Sequence, residues 1–272
     1  MSKSFHDRQK SGSCMHEPAA SRLSVRLARD ERDLRAAQRL RYRVFIEEMG
    51  GSGPLVDHAA RLERDALDPF CDHLLLIDEQ SDPVHESHVL GAYRLLPGTR
   101  LADAGRFYCD SEFDIEPLRR SGRQLLELGR SCMHPDYRGG MGMLQIWQGL
   151  ADYVRDCEIE ILFGAASFHS PDPLSWAQPL SWLHHHHLAP EPLRVHSRYP
   201  FEGYLLAPEL LDRQKALGQM PSLIKAYLRL GGVVGAGVYV DHAFRTTDVC
   251  IILDAVAMSA QARAFTTRRA GL

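Results

Sequence analysis

The sequence predicts an α/β fold in which a mixed sheet carries helices on its faces. The chain opens with a short apolar strand at 23–27 and a helix over 31–48, whose apolar residues recur every three to four positions. An apolar run at 125–133 is then followed by a Pro- and Gly-containing turn and by a second helical pattern. Strands that alternate with helices in this way favour a sheet covered by helices.

Five further strands complete the predicted sheet: 73–78, 89–95, 160–166, 233–240 and 247–253. The first two are expected to form a hairpin. A C-terminal helix is predicted over 211–230, where Gly231 and Gly232 end it. The segment 170–200 is rich in proline and is expected to be mostly loop.

The length allows one large or two small domains, and one folded domain over 22–255 is expected. A chain of 272 residues lies near the upper limit for a single core. Residues 1–21 are polar and are expected to form a disordered leader, and 256–272 a tail. The net charge of -3 gives no reason to expect a nucleic-acid partner, and no apolar stretch approaches the roughly 18–20 residues that span a bilayer. Six scattered cysteines fit reduced thiols, so a cytoplasmic location is expected.

Glu127 and Arg130 are the first candidates for chemistry. They lie three residues apart on a predicted strand, so they share one face only if a bulge intervenes, as Gly129 allows. A carboxylate there can take a proton from an ammonium group before the amine attacks a carbonyl. A structural ion pair explains the same residues. Arg94 is also a candidate, because a charged side chain on an apolar strand needs a partner or a polar site.

A second group of charged residues brackets the loop that precedes the hairpin. Arg41 lies on the first helix, and Asp65 and Asp68 lie in the loop. Opposite charges so placed can hold the carboxylate and ammonium groups of an amino acid, although a solvated face is the alternative. The histidines at 184–187 point in divergent directions, so no metal site is expected there.

The turn at 138–142 comprises Arg138, Gly139, Gly140, Met141 and Gly142. It opens the second helix, so its backbone N–H groups and the helix dipole suit a phosphate. The turn resembles the acyl-coenzyme A loop of the N-acetyltransferase fold. Met141 and Met143 stand where that loop has glycine or alanine. The turn therefore suits the single phosphate of a phosphopantetheine arm better than a pyrophosphate.

Several motifs in fixed order resemble one family, the ornithine acyl-[acyl carrier protein] N-acyltransferases. They lie at 40–45, 71–75, 93–96, 126–131, 134–138, 163–168, 183–185, 223–232 and 246–251. The resemblance covers about 23–253.

The same scaffold resembles that of the acyl-homoserine lactone synthases. The matching residues are Arg41 and Phe45, Asp65 and Asp68, the hairpin residue Arg94, and the pair Glu127 and Arg130. Those synthases carry a Trp where Gly51 stands here, which favours the ornithine family.

The resemblance implies an N-acetyltransferase-like fold with a C-terminal helix and strand extension. It also implies an N-acyltransferase that moves a 3-hydroxyacyl chain from acyl carrier protein to the alpha-amine of L-ornithine, giving lyso-ornithine lipid. Glu127 is then the expected base, while Arg130 and Arg94 orient the site. No bound cofactor or metal is expected, because the donor is the phosphopantetheine arm of the carrier.

The remaining roles follow from the same resemblance. Substrate contacts are expected from Arg41, Phe45, Asp65, Asp68, Arg138, Gly139, Gly140 and Gly142. An acidic carrier protein calls for a basic docking surface, for which Arg138 is expected to join Arg119, Arg120 and Arg123. The lipid product implies transient contact with the inner membrane surface.

Three alternatives stay open at this point. One is an acyl-homoserine lactone-type signal synthase, which would cyclise its acceptor or use S-adenosylmethionine, or else an acyltransferase for another amine acceptor. A small-molecule acetyltransferase would use acetyl-coenzyme A. A non-catalytic module would bind acyl carrier protein and would not need the carboxylate of Glu127.

Overall fold

The protein is described by a computed structural model at residues 22–138 and 141–258. Its strands are β1 (Leu23–Leu27), β2 (Asp72–Asp78), β3 (Val89–Pro97), β4 (Phe113–Asp114), β5 (Leu125–Met133), β6 (Ile161–Phe168), β7 (His196–Ser197), β8 (Val233–Val234), β9 (Tyr239–Asp241) and β10 (Thr246–Asp254). Its α-helices are α1 (Glu31–Arg41), α2 (Leu101–Ala104), α3 (Glu116–Arg120), α4 (Met141–Asp156), α5 (Ala177–His186), α6 (Arg213–Gln219) and α7 (Ser222–Arg229). A π-helical turn, Tyr42–Glu48, continues α1.

The main sheet has the strand order β1-β2-β3-β5-β6-β10-β8, with β9 also paired to β10. All its pairs are antiparallel except β5 with β6. The hairpin of β2 and β3 is as predicted. The mixed α/β architecture with helices on both faces confirms the predicted fold class.

The parallel pair β5 and β6 separates soon after it forms. Pairing runs from Leu125 with Ile161 to Glu127 with Phe163 and then stops. Gly164 lies at the point of separation, where a Cβ atom added to it would lie 2.2 Å from the carbonyl oxygen of Leu128. Only glycine therefore lets the two backbones approach so closely before they diverge.

Strand β5 also contains the bulge that the sequence allowed. Ala92 pairs with Cys132 and Arg94 with Gly129, so two residues of β5 oppose one residue of β3. Arg130 is the bulged residue and has a positive φ of 51°. Because the extra residue shifts the alternation, the side chains of Glu127 and Arg130 lie on the same face of the sheet.

The two faces of the sheet carry different helices. Helix α1 begins at the N-cap Asp30, whose side chain accepts the backbone N–H of Asp33 at 2.9 Å. It packs its buried face on β2, β3 and β5. Helices α4, α5 and α7 bury their apolar sides against the opposite face. Both faces are thus covered around the point where β5 and β6 separate.

Three predicted elements differ from the structure. The helix predicted over 211–230 is two helices, α6 and α7, because Pro221 lies between them. The strand predicted over 233–240 is divided into β8 and β9, between which Gly237 has a φ of 82°. The segment 170–200 contains the helix α5, whereas its many prolines had led to the prediction of a loop.

The predicted leader 1–21 and residues 259–272 of the predicted tail lie outside the described residues. In the part of the chain that the structure describes, the helices are too short or too polar to cross a bilayer. Cys71, Cys109, Cys132, Cys157 and Cys250 are free thiols, as expected.

Candidate active site

A cavity of about 990 Å³ opens where β5 and β6 separate. The parts of both strands that have lost their pairing line it, with Leu128 to Met133 on one side and Ala165 to Ser167 on the other. Backbone N–H and C=O groups along these inner edges are free to bond a bound molecule. The cavity therefore offers an extended ligand two half-open strand edges.

The cavity is apolar on one face of the sheet and charged on the other. On the face that carries α4 and α7 it is lined by Leu128, Met143, Trp147, Ala166, Leu223, Ile224 and Tyr227. The opposite face contributes Tyr108, Arg130, Ser167, Asp241, Thr246 and Asp248. A ligand with one apolar end and one charged end would match these two faces.

The side chain of Arg130 is held by ion pairs and by contacts with aromatic rings. Its Nη2 bonds Asp65 at 2.8 Å and its Nε bonds Glu63 at 3.2 Å. The guanidinium carbon also lies 4.7 Å from the ring centres of both Tyr108 and Phe244, so it makes cation–π contacts with both. The bulged residue of β5 thus has little freedom, although it lines the cavity.

Three arginines and three carboxylates form a closed ring, which we call the charge ring. Its members, in order around the ring, are Arg41, Glu63, Arg130, Asp65, Arg94 and Asp68. Each carboxylate bridges two arginines, and all six side chains are at least 87% buried. The structure therefore brings five predicted site residues together and adds Glu63.

The charge ring supports the cavity from behind. Within the ring only Arg130 lines the cavity, while Arg41, Arg94, Asp65 and Asp68 do not. Burial alone would raise the pKa of Asp68, but the guanidinium groups of Arg41 and Arg94 outweigh it and lower the pKa well below its usual value. All three carboxylates of the ring are thus matched by arginines, and their arrangement fixes the bulge.

Glu127 lies beside the cavity without lining it. Its two carboxylate oxygens accept the backbone N–H groups of Tyr108 and Cys109, each at 2.7 Å. Burial raises the pKa of Glu127, although these two hydrogen bonds act in the opposite direction. Through them Glu127 holds the loop that places the ring of Tyr108 against Arg130.

A second cluster of carboxylates was missed by the sequence analysis. Oxygen atoms of Glu112, Asp241 and Asp248 all lie within 4.8 Å of one another, and all three side chains are buried. We call it the acidic cluster. Burial raises the pKa of Asp248 to about 6, and the neighbouring charge of Asp241 acts in the same direction. Burial and the charges of its two neighbours also raise the pKa of Glu112 well above its usual value.

The predicted phosphate turn is only partly described. Gly139 and Gly140 lie outside the described residues. Arg138 lies at the cavity, where its Nη2 bonds Glu48 at 2.7 Å and its Nε bonds the carbonyl of Met133 at 3.1 Å. Gly142 lies in the first turn of α4 and packs on β2, where an added Cβ would lie 2.8 Å from Leu76 Cδ2.

The other predicted residues have separate surroundings. Phe45 lines the cavity from the π-helical turn, edge-on to Phe244. The histidines at 184–187 lie at the C-terminal end of α5, where His185 bonds the carbonyl of Leu206 and His186 stacks on Trp182.

The four arginines proposed for docking do not form one surface. Arg123 precedes β5 and pairs with Asp254, whereas Arg138 follows β5. A strand of nine residues spans roughly 30 Å, so these ends are far apart.

Comparison with known proteins identifies a family. Residues 40–148 match the acetyltransferase (GNAT) domain model. The chain is 59% identical to the L-ornithine N(alpha)-acyltransferase of Rhodobacter capsulatus, over 92% of this chain and 98% of that one. It is 44% identical to the protein of the same name from Agrobacterium fabrum, over 85% and 80%.

Among solved structures, the fold is similar to that of FeeM, an N-acyl amino acid synthase from uncultured soil microbes. The TM-score is 0.52 at 12% sequence identity, with 88% of this chain and 94% of that chain covered.

Proposed function

Because the chain belongs to the L-ornithine N(alpha)-acyltransferase family, we propose that it transfers a 3-hydroxyacyl chain from acyl carrier protein to the alpha-amine of L-ornithine. The product is lyso-ornithine lipid, the first acylated intermediate of an ornithine lipid. The acyltransferase class rests on the family. The geometry of the cavity supports the proposed donor and the proposed roles of individual residues.

The observation that carries the proposal is the cavity between the separated strands β5 and β6. A phosphopantetheine arm is an extended chain with two amide groups, which can bond the free edges of two strands as an added strand would. The apolar face of the cavity, with Trp147, Ile224 and Tyr227, suits the acyl chain. The thioester would then lie at the bulge, between the apolar and the charged parts of the cavity.

The bulge of β5 supports the chemical step. It frees backbone N–H groups of β5 from the ladder with β3, and these can bond the oxyanion that forms when the amine attacks the thioester carbon. Arg130 is held at that position by the charge ring. Arg94 and Arg41 act through Arg130 and its carboxylate partners, so we assign them positioning roles.

Two protons must move in this reaction. The ammonium group of ornithine loses one before attack, and Glu127 is the proposed acceptor, acting directly or through water. The same nitrogen loses a second proton after attack, and the departing thiolate takes it up. Tyr93 and Tyr227 are hydrogen-bonded to each other at the cavity, and burial raises the pKa of both, so they stay neutral and can relay this proton without a net change in their own protonation.

A positioning role for Glu127 also fits its two hydrogen bonds, and Glu127→Gln separates the two roles. A glutamine keeps one acceptor oxygen for the backbone N–H groups but cannot take a proton. If Glu127 is the base, kcat falls by about 100-fold or more and the acidic limb of the kcat–pH profile is lost. If it only positions Tyr108, kcat falls less and that limb remains.

The reaction itself is tested with purified protein, 3-hydroxyacyl-acyl carrier protein and L-ornithine, with the product identified by mass spectrometry. Formation of N-(3-hydroxyacyl)ornithine is expected. Asp152→Asn, on the exposed side of α4, is the matched control and should retain activity. Transfer from acyl-coenzyme A but not from the carrier protein would reject the proposed donor, and acylation of other amines alone would reject the proposed acceptor.

The proposed setting is the cytoplasm, where acyl carrier protein occurs. The free cysteines of the described residues are consistent with a reducing compartment. A lipid product would leave toward the inner membrane, which implies transient contact with that surface.

A further inference from the structure

The acidic cluster is the part of the cavity that the acyl-transfer chemistry does not use. Asp241 and Asp248 line the cavity, and Glu112 lies behind them. All three are at least 93% buried. Like charges so close together and so far from water require a cation or a shared proton. Unlike the charge ring, this cluster has no arginine or lysine within ion-pair distance among the described residues.

Several buried oxygen atoms at the acidic cluster lack a hydrogen-bond donor. Oδ1 of Asp248 and Oε2 of Glu112 are buried and have no hydrogen-bond partner among the described residues. Oγ1 of Thr246, a residue outside the acidic cluster, is also buried and has no partner there with good hydrogen-bond geometry, although its hydroxyl lies near enough to Asp248 to act against the rise in the pKa of that carboxyl. Thr246 lines the cavity two residues before Asp248 on β10, so both side chains lie on the same face of that strand. Buried oxygens without partners call for a donor from a ligand.

Tyr108 connects the acidic cluster to the bulge of β5. The hydroxyl of Tyr108 donates to Oδ2 of Asp241 at 3.4 Å, and the ring of the same tyrosine lies 4.7 Å from the guanidinium carbon of Arg130. Asp241 is itself held by the backbone N–H groups of Ala243 and Phe244, at 2.7 and 2.9 Å. A small cationic group of an acceptor that reacts at the bulge can therefore reach the cluster.

We propose that Glu112, Asp241 and Asp248, with the hydroxyl of Thr246, bind the side-chain ammonium of the acceptor amino acid. The inference rests on the proposed function, because it concerns the second amine of a diamino acid whose first amine is acylated. An ammonium group has three N–H donors and a positive charge, which match three unpartnered oxygens and an excess of negative charge. The site thus selects a diamino acid over a neutral one and directs acylation to the other amine.

Binding can be tested without any acyl donor. Norvaline has the carbon chain of ornithine without the terminal amine, so it is the matched ligand. Thermal unfolding of the purified protein is expected to shift upward with ornithine and much less with norvaline, since only a ligand that binds the folded state stabilises it. Asp248→Asn and Glu112→Gln should remove the difference between the two ligands, whereas Asp152→Asn should keep it.

Steady-state kinetics give the second readout. In the wild-type protein kcat/KM for ornithine should exceed that for norvaline by about 100-fold or more, because an apolar chain end leaves buried carboxylates unpaired. Asp248→Asn should raise the KM for ornithine by at least about 30-fold and reduce the preference to a few-fold. Thr246→Val, which removes one neutral acceptor, should weaken it less than Asp248→Asn does.

Two results would overturn the proposal. One is equal stabilisation of the wild-type protein by ornithine and norvaline. The other is stabilisation by Mg²⁺, Mn²⁺ or Ca²⁺ without amino acid that Asp248→Asn abolishes, which would make the cluster a divalent-cation site. Failure of the proposed function looks different, because ornithine would still bind selectively through the cluster while no acylornithine formed.

Discussion

Two groups of buried charges lie on either side of Tyr108, and they are built in opposite ways. In the charge ring every carboxylate bridges two arginines, and three positive charges meet three negative ones. In the acidic cluster the three carboxylates have no basic side chain within ion-pair distance among the described residues, and oxygens of Glu112 and Asp248 lack hydrogen-bond partners there. Opposite charges are balanced in the first group and not in the second.

This difference in charge balance predicts different roles for the two groups. A closed set of ion pairs has one low-energy arrangement, so it fixes the positions of its members. It therefore serves the cavity as a support for Arg130. An incomplete set is unfavourable in the empty protein when all its members are ionised, and it is stabilised when a cation or a proton is bound. Protein stability should therefore depend mainly on the first group and acceptor recognition mainly on the second.

The strongest test of the comparison breaks the charge ring. Asp68→Asn removes the carboxylate that bridges Arg41 and Arg94, and both guanidinium groups are almost fully buried. An uncompensated buried charge should lower the free energy of unfolding by about 3–5 kcal/mol, measured by urea denaturation at pH 7. Activity should fall with it, because Arg130 shares carboxylate partners with both arginines.

Asp136→Asn is the control for that experiment, because the side chain of Asp136 is 79% exposed. Its effect should stay within about 0.5 kcal/mol. If Asp68→Asn cost no more than this control, the ring would not be a unit of stability and its contrast with the acidic cluster would disappear.

A second test uses the pH dependence of stability. The folded pKa of Asp248 is about 6, above the ordinary value of 3.8. Its contribution is therefore fully present below about pH 4 and is lost as the pH rises through about 6. Between these limits the wild-type protein should lose about 2 kcal/mol relative to Asp248→Asn, whose side chain does not titrate.

The charged groups around Asp248 are Asp241 and Glu112, which share its site, and Arg130. The comparison is therefore made between two proteins that differ at one position, so that titrations outside the acidic cluster cancel. Parallel curves of unfolding free energy against pH for the two proteins would show that Asp248 is ionised and compensated in the empty protein. Ornithine at pH 8 should stabilise the wild type more than the variant.

Most of the charge ring was predictable, and the reason lies in where its members are. Arg41 is the last residue of a regular helix, Arg94 and Arg130 lie on strands, and Asp65 and Asp68 were identified through motifs at a fixed spacing from these residues. The bulge was inferred from the three-residue spacing of Glu127 and Arg130. Glu63 was missed because it lies in an irregular loop, where no periodicity marks a buried side chain.

The acidic cluster was missed for a different reason. Its residues are 129 and 7 positions apart along the chain, between Glu112 and Asp241 and between Asp241 and Asp248, so only the folded topology brings them together. One signal was available. Asp248 directly precedes an apolar run on its strand, and the argument that identified Arg94, a charged residue on an apolar strand, applies to a carboxylate as well.

A third prediction sharpens the role of Arg130, the member of the charge ring that lines the cavity. Arg130→Lys keeps the positive charge, but one ammonium group cannot bond Glu63 and Asp65 together or stack between two rings. Unfolding free energy should fall by about 1 kcal/mol and kcat/KM by about tenfold. Arg155→Lys, on the exposed side of α4, is the control and should change neither quantity.

The smallest expected effect on stability concerns an ion pair that belongs to neither group. Glu48 and Arg138 meet at the cavity, and each side chain is 41% exposed. Breaking such a pair by Arg138→Ala should change the free energy of unfolding by less than about 0.5 kcal/mol. Its effect should instead appear in the KM for the acyl carrier donor, since the proposed role of Arg138 is to meet the phosphate of the phosphopantetheine arm.

The two partners of this pair predict opposite results. Arg138→Ala should raise the KM for the donor, and the increase should shrink as salt screens the lost attraction. Glu48→Gln leaves Arg138 without its carboxylate, so it should lower the same KM at low salt. A rise in KM for both variants would mean that the intact pair, rather than the arginine charge, shapes the donor site. The exposed ion pair of Glu48 and Arg138 would then act as the charge ring does, by fixing the position of an arginine side chain.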